Sequence, residues 1–147
     1  MALIADSGAL YGLYDRSDQH HDRLRIALQA ERGPIIIPTP ILGEIDYLLR
    51  VRLGIDAEFD FLDDIMRGSF NLEQFSHADL VRSRALLAKY RELDLGLADA
   101  AVIATAERLR IDRILTVHER NFRAVRSESG KAFVLLPADL DQSTTQP

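Results

Sequence analysis

Four short apolar runs punctuate this chain: Ala2-Leu3-Ile4-Ala5, Ile35-Ile36-Ile37, Arg113 to Val117 and Ala132 to Leu136. None alternates apolar with polar residues, so none suits a strand with one face in water. A strand that is apolar on both sides must be covered on both sides, which points to parallel strands inside a helical coat. Between the runs the periodicity changes to that of helices. The alternation predicts an α/β fold: a three-layer α/β/α sandwich around a mostly parallel sheet.

Turn and cap residues mark the boundaries. Asp6-Ser7-Gly8 turns the first strand into a helix through Leu10, Leu13 and Tyr14, and Asp18 is read as the cap of a second helix ending near Arg32-Gly33. Thr39-Pro40 is read as N-cap and first helical residue of a helix that Gly54 closes. A further helix is expected over Ala57 to Met66, with Phe59, Leu62 and Ile65 on one side, before a strand-like Ser69-Phe70-Asn71-Leu72. Ser76-His77-Ala78-Asp79 has the form of a capping box and opens a helix carrying Leu80, Val81, Leu86, Leu87 and Tyr90. Leu97 to Arg110 is apolar nearly all round in its first half, which predicts a helix buried on several sides. A short helix near Asn121 to Val125 precedes the last strand. Residues 1–138 are expected to form one domain, with a polar, frayed tail from Asp139 to Pro147.

Composition narrows the function classes. There is no cysteine among the 147 residues, which excludes disulfides and thiolate zinc sites and suits a reducing cytoplasm. No apolar run approaches the length of a membrane span or a signal segment, so a cytoplasmic protein without membrane attachment is expected. A net charge of -5 does not suit a protein that grips nucleic acid with its whole surface, although a local basic patch or bound cations would still serve.

Three acids stand out among apolar neighbours: Asp6 at the end of the first strand, Glu44 in the second turn of its helix, and Asp99 in the first turn of the most apolar helix. Taken singly, each has an ordinary explanation, as a helix cap, a solvated rim acid and a partner for the helix dipole respectively. Taken together, all three fall in the N-terminal portions of segments read as following the carboxyl ends of strands, directly for Asp6 and Glu44 and less directly for Asp99, where open parallel sheets bind ligands. Three ionised carboxylates within ~5 Å of one another would repel by roughly 3 kcal/mol per pair at an effective dielectric of ~20, about 10 kcal/mol in all. A divalent cation removes that conflict, and an all-oxygen donor set selects hard ions such as Mg²⁺ or Mn²⁺, whose usual partner is a phosphate oxygen.

The segments Leu3-Ile4-Ala5-Asp6-Ser7-Gly8-Ala9-Leu10, Pro40-Ile41-Leu42-Gly43-Glu44-Ile45, Asp94-Leu95-Gly96-Leu97-Ala98-Asp99-Ala100 and Ile114-Leu115-Thr116-Val117 together resemble a PIN-domain ribonuclease. The compact single-domain form is similar to a VapC-type toxin of a toxin–antitoxin pair. The resemblance implies a metal-dependent endoribonuclease in which Asp6, Glu44 and Asp99 hold Mg²⁺ or Mn²⁺ and Ser7 supports the first carboxylate. It also implies an RNA substrate, a homodimer and a cognate antitoxin that covers the site.

One position departs from that pattern. Family members carry an acid two residues after the last threonine of the strand, and here Thr116-Val117-His118 places an imidazole there. His118 is then a nitrogen ligand favouring Mn²⁺, a donor that orients phosphate, or a plain surface histidine; Asn121 and Glu119 are alternative oxygen donors. This departure keeps open a module that binds RNA or protein without cleavage. A receiver or phosphatase with Asp6 as nucleophile is a third reading, and the lack of an acid two residues after Asp6 counts against the phosphatase. His20-His21 reads as a solvated helix start, Asp46 as facing away from Glu44, and Asp94 as a turn former. Arg108, Arg110, Arg113, Arg120, Arg123, Arg126 and Lys131 crowd the last third as a basic strip that would track phosphates or simply be solvated.

Overall fold

Each apolar run becomes a strand, and each strand lies parallel to its neighbours. In the computed structural model, which describes residues 1–140, β1 (Leu3–Ala5), β2 (Ile35–Pro38), β3 (Asn71–Glu73), β4 (Arg113–Leu115) and β5 (Val134–Leu136) form one sheet in the order β3-β2-β1-β4-β5. Ile4 of the central strand lies opposite Ile36 on one side and Ile114 on the other, and all four strand pairings are parallel.

The helices that cover this sheet are α1 (Ser7–Tyr14), α2 (His21–Ala30), α3 (Thr39–Leu53), α4 (Ile55–Met66), α5 (His77–Lys89), α6 (Leu97–Leu109) and α7 (Glu119–Ala124). α1 packs on α2 and α3, α3 packs on α4, and α5 packs on α6. The chain steps outward from β1 to β2 to β3, then returns through α5 and α6 to β4. Right-handed crossovers in opposite directions put those two helix groups on opposite faces, which makes the expected three layers. Ala100 to Ala106 is buried without interruption, as the apolar first half of α6 predicts. Among the described residues no helix is long and apolar enough to cross a membrane.

Several local expectations are corrected. The buried aromatic of α4 is Phe61, which meets Tyr14 edge-on and lies beside Phe70, while Phe59 faces out. Leu80 and Val81 of α5 are exposed, and Asp79, Ser83 and Leu86 point inward instead. That inversion is satisfied chemically: the Asp79 carboxylate accepts from Arg108 at 2.8 Å, and the Ser83 hydroxyl donates to the Asp79 carbonyl at 2.7 Å. The Ser76–Asp79 capping box is present in both directions. Thr39 is already helical and its hydroxyl accepts from the Phe75 amide at 3.2 Å, so it ties α3 to the loop after β3 rather than capping its own helix. Asp18 makes a turn with the His20 amide at 2.8 Å before α2 begins. Asp139, expected to open a loose tail, is buried: it accepts from Arg123 at 2.7 Å and from the Leu135 amide at 2.8 Å. Positions 141–147 of the expected tail lie outside the described residues.

Candidate active site

The direction of strand addition reverses between β1 and β4, and in open parallel sheets the ligand crevice lies beyond the carboxyl ends of the strands at that reversal. Asp6 follows the last residue of β1 there, and its amide donates to the Leu115 carbonyl of β4 at 3.1 Å. Its backbone is extended while Ser7 is helical, so its side chain turns back as the cap of α1, with Oδ1 accepting from the Ala9 amide at 2.9 Å. The other oxygen, Oδ2, accepts a short hydrogen bond from the Thr116 hydroxyl, one residue past β4. Thr116, not Ser7, is therefore the hydroxyl that supports this carboxylate. Nothing local in the sequence marks Thr116 as the partner of Asp6, because the contact depends on β4 lying beside β1.

Asp6 is only 4% exposed, and burial pushes its carboxyl up to about 6. The Thr116 and Ala9 hydrogen bonds and the nearby His118 oppose that rise, while the charge of Asp99 adds to it. Asp99 is thus brought within electrostatic reach of Asp6. It occupies the first turn of α6, where its carboxylate accepts from the Gly96 amide at 3.4 Å. Glu44 lies on α3 between the buried Ile41 and Ile45, is itself exposed, and makes no hydrogen bond or ion pair among the described residues. α3 packs against both α1 and α6, the helices that carry the other two acids. Among the described residues no three histidine, aspartate or glutamate side chains stand close enough together to hold a metal ion as arranged.

His118 sits on the other side of Asp6. Its amide donates to the Thr116 hydroxyl oxygen at 3.0 Å, so Thr116 links the His118 backbone to the Asp6 carboxylate. The imidazole lies against Gly8 in the first turn of α1: a Cβ there would fall 2.8 Å from Nε2 and 3.1 Å from Cδ2. Only glycine leaves the ring its place, a pairing that no local sequence signal reveals.

The other candidates separate from this crevice. His21 spends its Nδ1 on the Gly12 carbonyl at 2.8 Å, so it is a structural contact and not half of a metal clip. Asp46 faces the buried Glu58 of α4; burial and this second carboxyl both raise Glu58, while Arg50 opposes them. Asp94 takes the left-handed turn conformation before α6. Three of the seven basic residues are paired with carboxylates: Arg108 binds Asp79 and Glu73, Arg113 binds Glu31 at 2.6 Å, and Arg123 binds Asp139. Arg126 donates to the carbonyls of Arg123 and Val125. Arg110 and Lys131 line a cavity of about 560 Å³ that opens at the amino ends of β4 and β5, the wrong edge for the crevice.

The donor set suits a divalent cation on one observation. A buried carboxylate held by two hydrogen bonds, yet raised by burial and by a second carboxylate, is the kind of group whose ionised form a hard dication would stabilise.

Known proteins resemble this chain in sequence and in fold. The PIN domain model matches residues 3–128. Ribonuclease VapC26 of Mycobacterium tuberculosis is 29% identical over 135 residues, covering 92% of this chain and all of that protein. Among solved structures, M. tuberculosis VapC20, described as a toxin that cleaves the sarcin–ricin loop, superposes with a TM-score of 0.71 at 17% identity over 76% of this chain and 86% of its own. A toxin–antitoxin complex from Klebsiella pneumoniae gives a TM-score of 0.67 at 24% identity over 85% and 92%. VapBC2 from Rickettsia felis, bound to a promoter DNA fragment, gives 0.63 at 14% over 92% and 97%. At these identities the solved structures speak for the fold alone.

Proposed function

Because the chain belongs to the PIN-domain family, we propose that it is a metal-dependent endoribonuclease, the toxin of a toxin–antitoxin pair, with Asp6, Glu44 and Asp99 as the ligands of Mg²⁺ or Mn²⁺. One observation carries this reading: a capped, hydrogen-bonded, buried carboxylate at the sheet's reversal point, within reach of a second carboxylate. When bound, the cation supplies positive charge that offsets the carboxylates and the charge gathering on the scissile phosphate. The chain's part is to keep Asp6 ionised and fixed in direction. The Thr116 hydroxyl and the Ala9 amide both donate to it, and donation to the charged form favours that form. Gly96 likewise fixes the direction of Asp99.

The partners in this reading are an RNA substrate, an antitoxin and a second copy of the chain, in the cytoplasm. Support for a protein partner comes from two exposed apolar pairs, Tyr47 with Val51 one turn apart on α3 and Ile55 with Phe59 one turn apart on α4. The toxin–antitoxin complexes among the structural neighbours support the same partner class. The test is cleavage of a mixed RNA pool by the wild type and by Asp99→Asn, with Mg²⁺, with Mn²⁺ and with chelator. Cleavage by the wild type alone, lost on chelation, is expected; equal cleavage by both proteins or indifference to chelator would refute the reading.

A further inference from the structure

We propose that the first turn of α7, through His118 and Arg120, is the surface that holds the RNA phosphate backbone at the crevice; this rests on the ribonuclease reading above. The site is built of acids on a chain of net charge -5, so a polyanion needs local cations to approach it. The sequence offers a strip of seven basic residues for this, and the structure removes six of them. Arg108, Arg113 and Arg123 are committed to carboxylates, Arg126 to backbone carbonyls, and Arg110 and Lys131 to the opposite edge of the sheet.

Arg120 remains. It is exposed in the first turn of α7, and it has no hydrogen bond or ion pair among the described residues. Only three residues separate it from Thr116, the group that holds Asp6. His118 stands between them, exposed, with its backbone hooked to Thr116 and its ring seated on Gly8. The ring nitrogens have no hydrogen-bond partner among the described residues, so an unpaired imidazole lies beside the Asp6 carboxylate with its Nε2 toward Gly8. An imidazole held at both ends but bonded to nothing fits a phosphate oxygen better than it fits a core role. Arg120 then supplies the fixed positive charge on the next stretch of backbone.

The experiment measures binding of a short fluorescein-labelled single-stranded RNA of mixed sequence by anisotropy against salt concentration. All variants are made in the Asp99→Asn background so that the probe survives. Arg120→Ala should weaken binding and lower the steepness of log K against log salt by about 0.7, the value of one lost phosphate contact on a single strand. Arg32→Ala, the same charge change at the opposite edge before β2, should leave the slope unchanged. His118→Ala should weaken binding, and His118→Gln, which keeps a donor, should recover part of the loss. Gly8→Ala should reproduce the His118→Ala loss by displacing the ring while favouring the helix itself. In the cleaving protein the same substitutions should raise KM with kcat little changed. If the wild type cleaves and binds RNA but Arg120→Ala and His118→Ala behave like Arg32→Ala, this inference falls and the ribonuclease reading stands. If no form binds RNA, both fall.

Discussion

Replacing Asp6 by Asn should inactivate the protein and stabilise it. The folded state holds this carboxyl at about 6 against 3.8 in a free chain, chiefly because burial disfavours its charge. Below 3.8 both states carry the proton and the fold loses nothing. As pH rises through about 6 the folded state must ionise a buried group, and above that the full cost applies. A shift of this size corresponds to about 3 kcal/mol at neutral pH, taken as a ceiling. Asparagine is neutral at every pH, keeps an oxygen for the Ala9 amide, and turns its own NH₂ toward the Thr116 oxygen. In chelator at about pH 7.5, Asp6→Asn should therefore melt higher than the wild type by up to about 6 to 10 °C, and the two should converge near about pH 4. Added Mn²⁺ should raise the melting temperature of the wild type and not that of the variant, since only a folded site that binds the ion gains by mass action. Thermal melts followed by circular dichroism decide it. A variant that melts below the wild type in chelator at neutral pH would show that Asp6 is a stabilising cap and that the burial argument is wrong.

Four further outcomes follow from individual contacts. Thr116→Val removes the hydroxyl that donates to Asp6, so the Asp6 carboxyl should rise further, visible by NMR titration, and Mn²⁺ binding should weaken. Glu58→Gln relieves the carboxyl pair with Asp46. Because Glu58 is raised in the fold, its cost is absent at acid pH and grows as pH rises, so the gain in melting temperature should grow likewise while RNA cleavage is unchanged. Arg123→Met leaves Asp139 without its guanidinium and should cost about 2 kcal/mol in chemical denaturation, less than a fully buried pair because Arg123 is half in water. Ser76→Ala breaks the capping box of α5 and should cost about 1 kcal/mol in the same assay.

Much of the architecture was legible because continuous apolar runs admit few folds: β1, β2 and β4 appear where Leu3-Ile4-Ala5, Ile35-Ile36-Ile37 and Ile114-Leu115 predict them. The faces of α4 and α5 were not legible, since apolar periodicity assumes that acids stay outside. Glu58 is buried against Asp46, and Asp79 is buried against Arg108, and each turns its helix so that Phe59 or Leu80 faces water. Those partners are far apart in sequence and leave no local trace. At the site, Asp6 could be picked out from its place at a strand end, and its proximity to Asp99 followed from both segments opening at one edge. The Thr116 hydrogen bond and the seat of His118 on Gly8 depend on β4 lying beside β1, a non-sequential pairing that composition does not encode.

The proposed site requires Asp6, Asp99 and the more exposed Glu44 to act as one set of ligands. Calorimetric titration of Mn²⁺ into the wild type, Glu44→Gln and Asp99→Asn tests it without reference to any RNA. Saturable binding is expected in the wild type, with affinity weakened at least about tenfold in each variant, a loss of roughly 1.4 kcal/mol or more. No binding by the wild type, or binding that neither substitution disturbs, would contradict it.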